Sequence, residues 1–521
     1  MNATTLARNV VRQLIESGVS DFVLSPGSRN APLSIALYQA EEAGLVTIHP
    51  RIDERGAAFF ALGLAKASNN YVAALCTSGT AAANYHPAAL EAYHSANKLL
   101  LITADRPARL RRTGANQTTL QDGLLAPLTS IDMASVIDIA SHLDGGPVHL
   151  NIQFDEPLLP TEESDWLANI SPILHPPAPS GARAQFEAKS RGLVIAGHDR
   201  ADISRQEIEK FASNLGWPLI AEDPLSFPTA VAHATLFLSD SQLRTTFAPE
   251  QVVVIGRTTL SRSINALIAE CPDVVVVDSR TKTVDTGRTA NAIFSILPHG
   301  DCQLDSDWSS QWKTLSTQAH SALKLGWSEQ RAVATIASHL PDEAALFIGS
   351  SRPIRDVEAF ATPRSGLHTF ANRGLAGIDG NISCALGVAE HFQNTYAILG
   401  DLTTLHDISA LVNQTKTSLT IFVIDNDGGG IFSTLPQSQV DGFEKIFATP
   451  HHLDLEKVIR GFGVDVVRVK NESDLERETV HPQTGLKFVI VEVPDRVTNA
   501  AVLKEVTQSL VSALRIGSNL A

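Results

Sequence analysis

Short runs of β-branched and apolar residues alternate with amphipathic segments of helical length from one end of this chain to the other. A strand that is apolar on both faces needs cover on both, and a parallel neighbour needs a long crossover. The pattern therefore calls for parallel sheets wrapped by helices. In the first third the runs are 22–24, 71–76, 99–102 and 148–152, with 56–67 among the intervening helices. The second third repeats the alternation at 193–196, 218–221, 251–255 and 274–277, the last two being continuous apolar runs. The final third has 345–348, 396–399, 419–424 and 487–493.

At 521 residues the chain is too long for one core and calls for about three domains. A passage at 156–179 holding Pro157, Pro160, Pro172, Pro176 and Pro177 sustains neither helix nor central strand and reads as a linker. A polar stretch at 298–309 closes the second unit. The expected organisation is three α/β domains over residues 1–160, 185–310 and 325–521, with no short internal repeat.

With 44% hydrophobic and 19% charged residues the chain reads as soluble and globular. No apolar stretch approaches the roughly 18 residues of a membrane span. The opening Met1-Asn2-Ala3-Thr4-Thr5 lacks the basic and apolar regions of a signal peptide, so a cytoplasmic location and no membrane insertion are expected. A net charge of −15 repels nucleic acid and anionic membranes; an anionic substrate must be drawn in by clustered arginines. Cys76, Cys271, Cys302 and Cys384 form no Cys-x-x-Cys pair, which argues against zinc, iron–sulfur clusters and a disulfide framework.

Two segments carry chemistry: Ile52-Asp53-Glu54-Arg55-Gly56, and Gly400-Asp401-Leu402 with Asp425-Asn426-Asp427-Gly428-Gly429. Mg²⁺ takes about six hard oxygens, typically one or two carboxylates, some neutral oxygens and the rest from phosphate or water. Asp401 offers the charge, Asn426 an amide oxygen and Gly428 a backbone carbonyl, while glycines 428 to 430 let N–H groups face phosphate. Taken singly, each half also reads as an ordinary strand-ending turn. At successive strand ends the pair reads as a cradle for a metal-bound diphosphate.

Gly-Asp-x, a spacer, then an Asn-containing turn resembles the thiamine diphosphate motif of the 2-oxoacid decarboxylase and acetolactate synthase superfamily. Position 425 is Asp where that family usually has the first of two Asn, and the spacing from 401 to 426 is short. Leu402 in place of the usual Gly is similar to one branch, the menaquinone-pathway synthases. Further segments resemble that branch in order: Ser25-Pro26-Gly27-Ser28-Arg29-Asn30, Asp53-Glu54-Arg55-Gly56, Thr77-Ser78-Gly79-Thr80-Ala81 and Thr103-Ala104-Asp105-Arg106-Pro107. Gly114-Ala115-Asn116-Gln117, Ser350-Ser351 with Arg355, Asn372-Arg373-Gly374 and Gly377-Ile378-Asp379-Gly380 complete the series. The match spans nearly the whole chain and is weakest between about 160 and 330.

The resemblance implies three doubly wound parallel-sheet domains: pyrimidine-binding, central and diphosphate-binding. It implies thiamine diphosphate with Mg²⁺ or Mn²⁺, the metal held by Asp401, Asn426 and Gly428. Coenzyme contacts are implied for Glu54, Thr77, Ile378, Gly400, Asp401, Leu402, Asn426, Gly428, Gly429, Ile431 and Phe432. Glu54 would hydrogen-bond N1′ of the aminopyrimidine and favour the imino tautomer, as a carboxylate in an apolar pocket can; by its residues alone, Asp53-Glu54 also reads as a helix start. Ile378 reads as a prop under the coenzyme or as a core aliphatic.

The implied reaction decarboxylates 2-oxoglutarate and adds the product to isochorismate, both dicarboxylates suited to guanidinium groups. Ser28, Arg29, Arg106, Asn116, Gln117, Arg262, Ser351, Arg355 and Arg373 are the implied substrate contacts, with Arg29, Gln117, Ser351 and Arg355 also in catalysis. Each arginine has the alternative of a surface residue or salt bridge, and Arg262 stands where some relatives carry two basic residues. His49 reads as structural, and the paired histidines of simple pyruvate-type decarboxylases are absent. The superfamily completes its site across two subunits, so a dimer or tetramer is implied. The alternatives are another thiamine diphosphate-dependent decarboxylase or carboligase, or a non-catalytic nucleotide-binding relative.

Overall fold

In the computed structural model the described residues are all except 161–163, 172–183, 201–202, 281–284, 286, 288, 302–304, 413–417, 481–483 and 518–521. Pro172, Pro176, Pro177 and Cys302 lie outside them.

The first sheet contains β1 (Asp21–Leu24), β2 (Thr47–Pro50), β3 (Val72–Cys76), β4 (Leu99–Asp105), β5 (Thr129–Met133) and β6 (Val148–Gln153). Its order is β2-β1-β3-β4-β6-β5, all parallel. In the middle of the chain, β7 (Gln185–Glu187) pairs with β13 (His299–Asp301). Between them β8 (Gly192–Ala196), β9 (Leu219–Ala221), β10 (Gln251–Ile255), β11 (Val274–Val277) and β12 (Ala292–Phe294) form a parallel sheet ordered β12-β11-β10-β8-β9.

The last sheet holds β14 (Ala345–Ile348), β15 (His368–Phe370), β16 (Thr395–Gly400), β17 (Leu419–Asp425), β18 (Asp465–Val469) and β19 (Leu486–Glu492). Its order, β15-β14-β16-β17-β19-β18, repeats the winding of the first sheet strand for strand. In each of the three large sheets the chain reverses direction between the first strand and the third, and ligands bind α/β sheets outside the carboxyl ends at that point. In the first sheet the loops there are those of Ser25–Asn30 and Thr77–Gly79; in the last, those of Gly349–Ser351 and Gly400–Asp401.

The first and last sheets share one core. Val23, Phe60, Leu101, Phe347, Ile382, Leu399 and Ile421 belong to a single buried cluster. At its centre the helix Glu54–Ser68 crosses the helix Asn381–Ala389. The crossing is close because it runs over glycine: a Cβ on Gly63 would stand 2.2 Å from the Cys384 carbonyl, and one on Gly387 2.2 Å from that of Phe60. The first helix is buried continuously from Gly56 to Ala65, as a helix between two layers must be. Its start is set by Asp53, whose carboxylate accepts from the Arg55 and Gly56 N–H groups at 3.0 and 3.4 Å.

The central core reaches beyond the limit of 310 read from the sequence. Helix Ser306–Ala322 carries Trp308 and Trp312 into it, and the C-terminal helix Arg496–Gly517 returns to add Leu510 and Leu514. The described part of the expected linker is tied to the first domain, where the Trp166 indole N–H donates to Gln39 at 2.8 Å. His49 pairs with Asp21 at 2.9 Å and packs on Phe60, a structural place. Cys76 and Cys384 are buried and Cys271 half-buried, and burial pushes all three thiols up. No helix among the described residues is long and apolar enough to cross a membrane.

Candidate active site

At the carboxyl ends of β14, β16 and β17 lies a cavity of about 160 Å³ whose lining includes Ser351, Ile378, Asp401, Asn426, Gly428 and Phe432. Gly400, Leu402, Gly429 and Ile431 line it too. Asp401 opens the helix Asp401–His406 and is 2% exposed. Its Oδ1 accepts from the Leu402 N–H at 2.6 Å and its Oδ2 from the Gly428 N–H at 2.8 Å.

Asn426 follows β17. Its amide Nδ2 donates to Glu329 Oε2 at 2.9 Å, while its Oδ1 is buried with no partner in the protein. A buried acceptor left unpaired costs about 1–3 kcal/mol, so the oxygen calls for a partner from outside the chain. Gly428 has φ +136°, and a Cβ there would stand 2.5 Å from the Ala448 carbonyl, so only glycine fits the turn. A buried carboxylate, an unpaired amide oxygen and an unhindered backbone form the hard-oxygen donor set that suits Mg²⁺ or Mn²⁺ beside a diphosphate.

The cavity floor is rigid and charged. Arg352 lies 3.3 Å from Glu329 and pairs with Asp356, all three buried. Ser351, at φ +75°, holds a backbone conformation that costs a non-glycine residue about 1–3 kcal/mol and concentrates at functional sites. Its carbonyl accepts from Arg355 at 2.7 Å, and burial, then the neighbouring Arg352, pull the Arg355 guanidinium down. Burial, then the charge of Asp401, push the Asp425 carboxyl up.

The equivalent crevice of the first sheet gathers a second group. The Ser25–Asn30 and Thr77 loops touch so closely that a Cβ on Gly27 would stand 2.3 Å from that of Thr77, and the Arg29 N–H donates to Thr77 Oγ1 at 3.3 Å. Arg106 follows β4 and donates to Ser78 Oγ at 2.7 Å and to the Gln117 carbonyl at 2.5 Å. The Gln117 amide returns to the Ser78 carbonyl at 3.0 Å. Burial and then the charge of Arg29 pull the Arg106 guanidinium down, the mark of two cations facing one space. Arg29 also donates to the Phe154 carbonyl at 3.1 Å and lies 3.6 Å from exposed Glu156. Ser28 sits on the same loop as Arg29, and Asn116, next in sequence to Gln117, is exposed.

Glu54 is half-buried at the start of its helix, and its charge is felt by buried Cys76 and Tyr85. It does not line the third-domain cavity of its own chain. Its neighbours are committed elsewhere: Asp53 accepts from Ser409 at 2.5 Å and Arg55 donates to the His406 carbonyl at 2.8 Å. Arg373 is buried, donates to Thr259 Oγ1 at 3.1 Å and lines a different pocket with Lys66, His198 and Arg200. Arg262 opens the helix Arg262–Glu270, exposed and outside the cavity lining.

Sequence reasoning missed Glu329, Arg352 and Asp356, which no motif marks, and His451, whose Nε2 lies 3.4 Å from Asp401. It also missed Glu91, whose buried carboxylate accepts from the Gly374, Leu375 and Ala376 N–H groups at 2.7, 2.7 and 3.2 Å and joins first domain to third.

Two identically wound sheets end one in an oxygen-donor cradle and the other in a paired-arginine crevice, and the family models that match this chain are those of thiamine diphosphate-dependent enzymes. Models of the thiamine pyrophosphate enzyme N-terminal TPP binding domain, middle domain and C-terminal TPP binding domain match residues 4–125, 162–348 and 355–493. A 2-succinyl-5-enolpyruvyl-6-hydroxy-3-cyclohexene-1-carboxylate synthase of Nocardioides sp. is 38% identical, covering 94% of each chain. Those of Saccharopolyspora erythraea and Thermobifida fusca are each 35% identical over 98% of this chain and 99% and 100% of theirs. The chain belongs to the family of 2-succinyl-5-enolpyruvyl-6-hydroxy-3-cyclohexene-1-carboxylate synthases.

Proposed function

We propose that the chain takes 2-oxoglutarate and isochorismate, releases CO₂ from the first and adds the remaining succinyl unit to the second by 1,4-addition, a step of menaquinone biosynthesis. The observation that supports this most is the third-domain cradle of Asp401, the unpaired Asn426 oxygen and Gly428, which fits a divalent cation and a diphosphate. Thiamine diphosphate, when bound, supplies the carbon centre at which a 2-oxoacid loses CO₂.

The residues of the chain do the rest. Asp401, Asn426 and Gly428 hold the cation, the glycine-rich turn receives the phosphates, and Ile378 and Phe432 exclude water from their side of the cavity. Glu54 holds a proton at the pyrimidine nitrogen. Arg29 and Arg106 bind substrate carboxylates, Gln117 and Ser28 accompany them, and Arg355 with Ser351 orients the 2-oxoacid. Arg262, Arg373 and Asn116 are outer substrate contacts. Because Glu54 is outside the cavity of its own chain, a second copy completes the site, and the working unit is at least a dimer.

Purified protein mixed with thiamine diphosphate, Mg²⁺, 2-oxoglutarate and isochorismate should consume isochorismate, and omission of any one component should stop it. Turnover of pyruvate with no loss of isochorismate would point to a different carboligase.

A further inference from the structure

Asp425 is one position at which this chain departs from the superfamily pattern, and the structure sets its carboxylate near that of Asp401, between two residues that line the cavity but outside the lining itself. Asp401 and Asp425 each offer a carboxylate oxygen, and these lie within 4.8 Å of each other and of a ring nitrogen of His451. Two oxygens on opposite sides of one Mg²⁺ stand about 4.2 Å apart, at about 2.1 Å each from the ion, so the cluster is of the size that a single ion and its inner water can span.

Inside the protein Asp425 is compensated by the Asp427 backbone N–H and, at longer range, by two cationic side chains. Its nearest cations, Arg468 at 3.7 Å and His451 at 3.8 Å, both stand beyond hydrogen-bond reach. Arg468 is shared with Asp454, Glu456 and Glu492 at 3.2, 3.6 and 3.3 Å. The His451 side chain is 8% exposed and its Nε2 faces Asp401 at 3.4 Å, at the limit of a hydrogen bond, and Asp425 at 3.8 Å. The Leu453 N–H donates to Nδ1 at 3.0 Å, which leaves the ring proton on Nε2, directed between the two carboxylates. The Asn426 Oδ1, buried and unpaired, belongs to the residue next to Asp425. The site thus presents two carboxylates with the His451 imidazole set between them, Asp425 being next in sequence to the residue that carries the unpaired oxygen.

We propose that Asp425 is a working part of the cation site: with Asp401 it gives the site a second carboxylate, so that this chain captures a divalent cation before the coenzyme arrives. A site with one carboxylate relies on the diphosphate for the remaining charge and holds the cation only together with it. Here the second carboxylate supplies that charge from the protein. The proposal rests on the reading of this cavity as a cation–diphosphate cradle.

The test is titration of the full-length protein with Mn²⁺ alone, free and bound ion being separated by electron paramagnetic resonance. Wild type should bind Mn²⁺ without thiamine diphosphate, and Asp425→Asn, a nearly isosteric change checked for folding by circular dichroism, should bind it about tenfold or more weakly. His451→Gln, which keeps a donor beside the acids, should retain coenzyme-free binding. Equal affinities for wild type and Asp425→Asn, or no coenzyme-free binding by wild type, would overturn the proposal. A second arm with thiamine diphosphate separates the two readings. Binding there by both proteins leaves the cradle standing whatever the first arm gives, whereas no Mn²⁺ binding in either arm would remove the cradle and the proposal together.

Discussion

Asn426 and Glu329 stand 97 positions apart and share one hydrogen bond, Asn426 Nδ2 to Glu329 Oε2 at 2.9 Å. That bond fixes which end of the amide faces the cavity, because a donor is what Glu329 can accept. Glu329 is itself held by Arg352, so the orientation of a cavity-lining oxygen depends on a buried ion pair beside it. Glu329→Ala should weaken the joint affinity for Mg²⁺ and thiamine diphosphate about 10–100-fold, as loss of a ligand-orienting partner does. It should also destabilise the fold by about 1–3 kcal/mol, because the Asn426 amide and Arg352 each lose a buried acceptor while Asp356 still pairs with Arg352. Calorimetric titration reads the first effect and thermal melting the second; Glu329→Gln, which keeps an acceptor, should lose less of both.

The crossing of the helices Glu54–Ser68 and Asn381–Ala389 depends on Gly63 and Gly387. Gly63→Ala would drive a methyl group into the Cys384 carbonyl, a backbone atom that cannot swing aside. A loss of about 1–3 kcal/mol is expected, read as a lowered Tm. Since Glu54 begins the same helix, turnover should fall as well, while Gly326→Ala, at a glycine with open space around it, serves as the control.

Arg106 binds Ser78 and Gln117 through one nitrogen of its guanidinium and faces Arg29. Arg106→Lys keeps the charge and loses the planar fork, so KM for at least one dicarboxylate substrate should rise about tenfold or more while coenzyme affinity is unchanged. A loss confined to coenzyme binding would reassign the first-domain crevice.

Two buried histidines, His149 and His233, and half-buried His198 make the fold sensitive to acid. Burial lowers His149, His198 and His233 to about 4 from the ordinary 6.5. The unfolded chain therefore binds protons at these positions before the folded one does. Their contribution is fully present above about pH 6.5 and is lost as pH falls through about 4. Tm should drop across that window, and His149→Gln, whose neighbours are the adaptable hydroxyls of Thr103 and Ser130, should flatten the drop.

The fold class was legible because buried parallel strands such as 251–255 and 274–277 announce themselves as unbroken apolar runs. The short edge strands Thr47–Pro50, His368–Phe370 and Ala292–Phe294 carry no such signal, since edge strands are partly exposed and mixed in composition. That Asp401, Asn426 and Gly428 would meet at one cavity was legible because a strand-ending Gly-Asp and a glycine-rich turn recur at a fixed spacing. Glu329 and Glu91 were not: each is one glutamate among many, and only the tertiary fold decides that it faces an amide or three backbone N–H groups. The shared core of the first and third domains was likewise invisible, because an apolar helix such as Gly56–Ala65 shows that it is buried but not against what.

The central claim is that Glu54 of one copy acts on a coenzyme held by Asp401, Asn426 and Gly428 of another, and complementation measures it directly. Glu54→Gln and Asp401→Asn should each be inactive alone. Mixed dimers formed from the two contain one site with both substitutions and one with neither, so activity should return on mixing. Mixtures that form dimers yet stay as inactive as the separate variants would contradict the shared site.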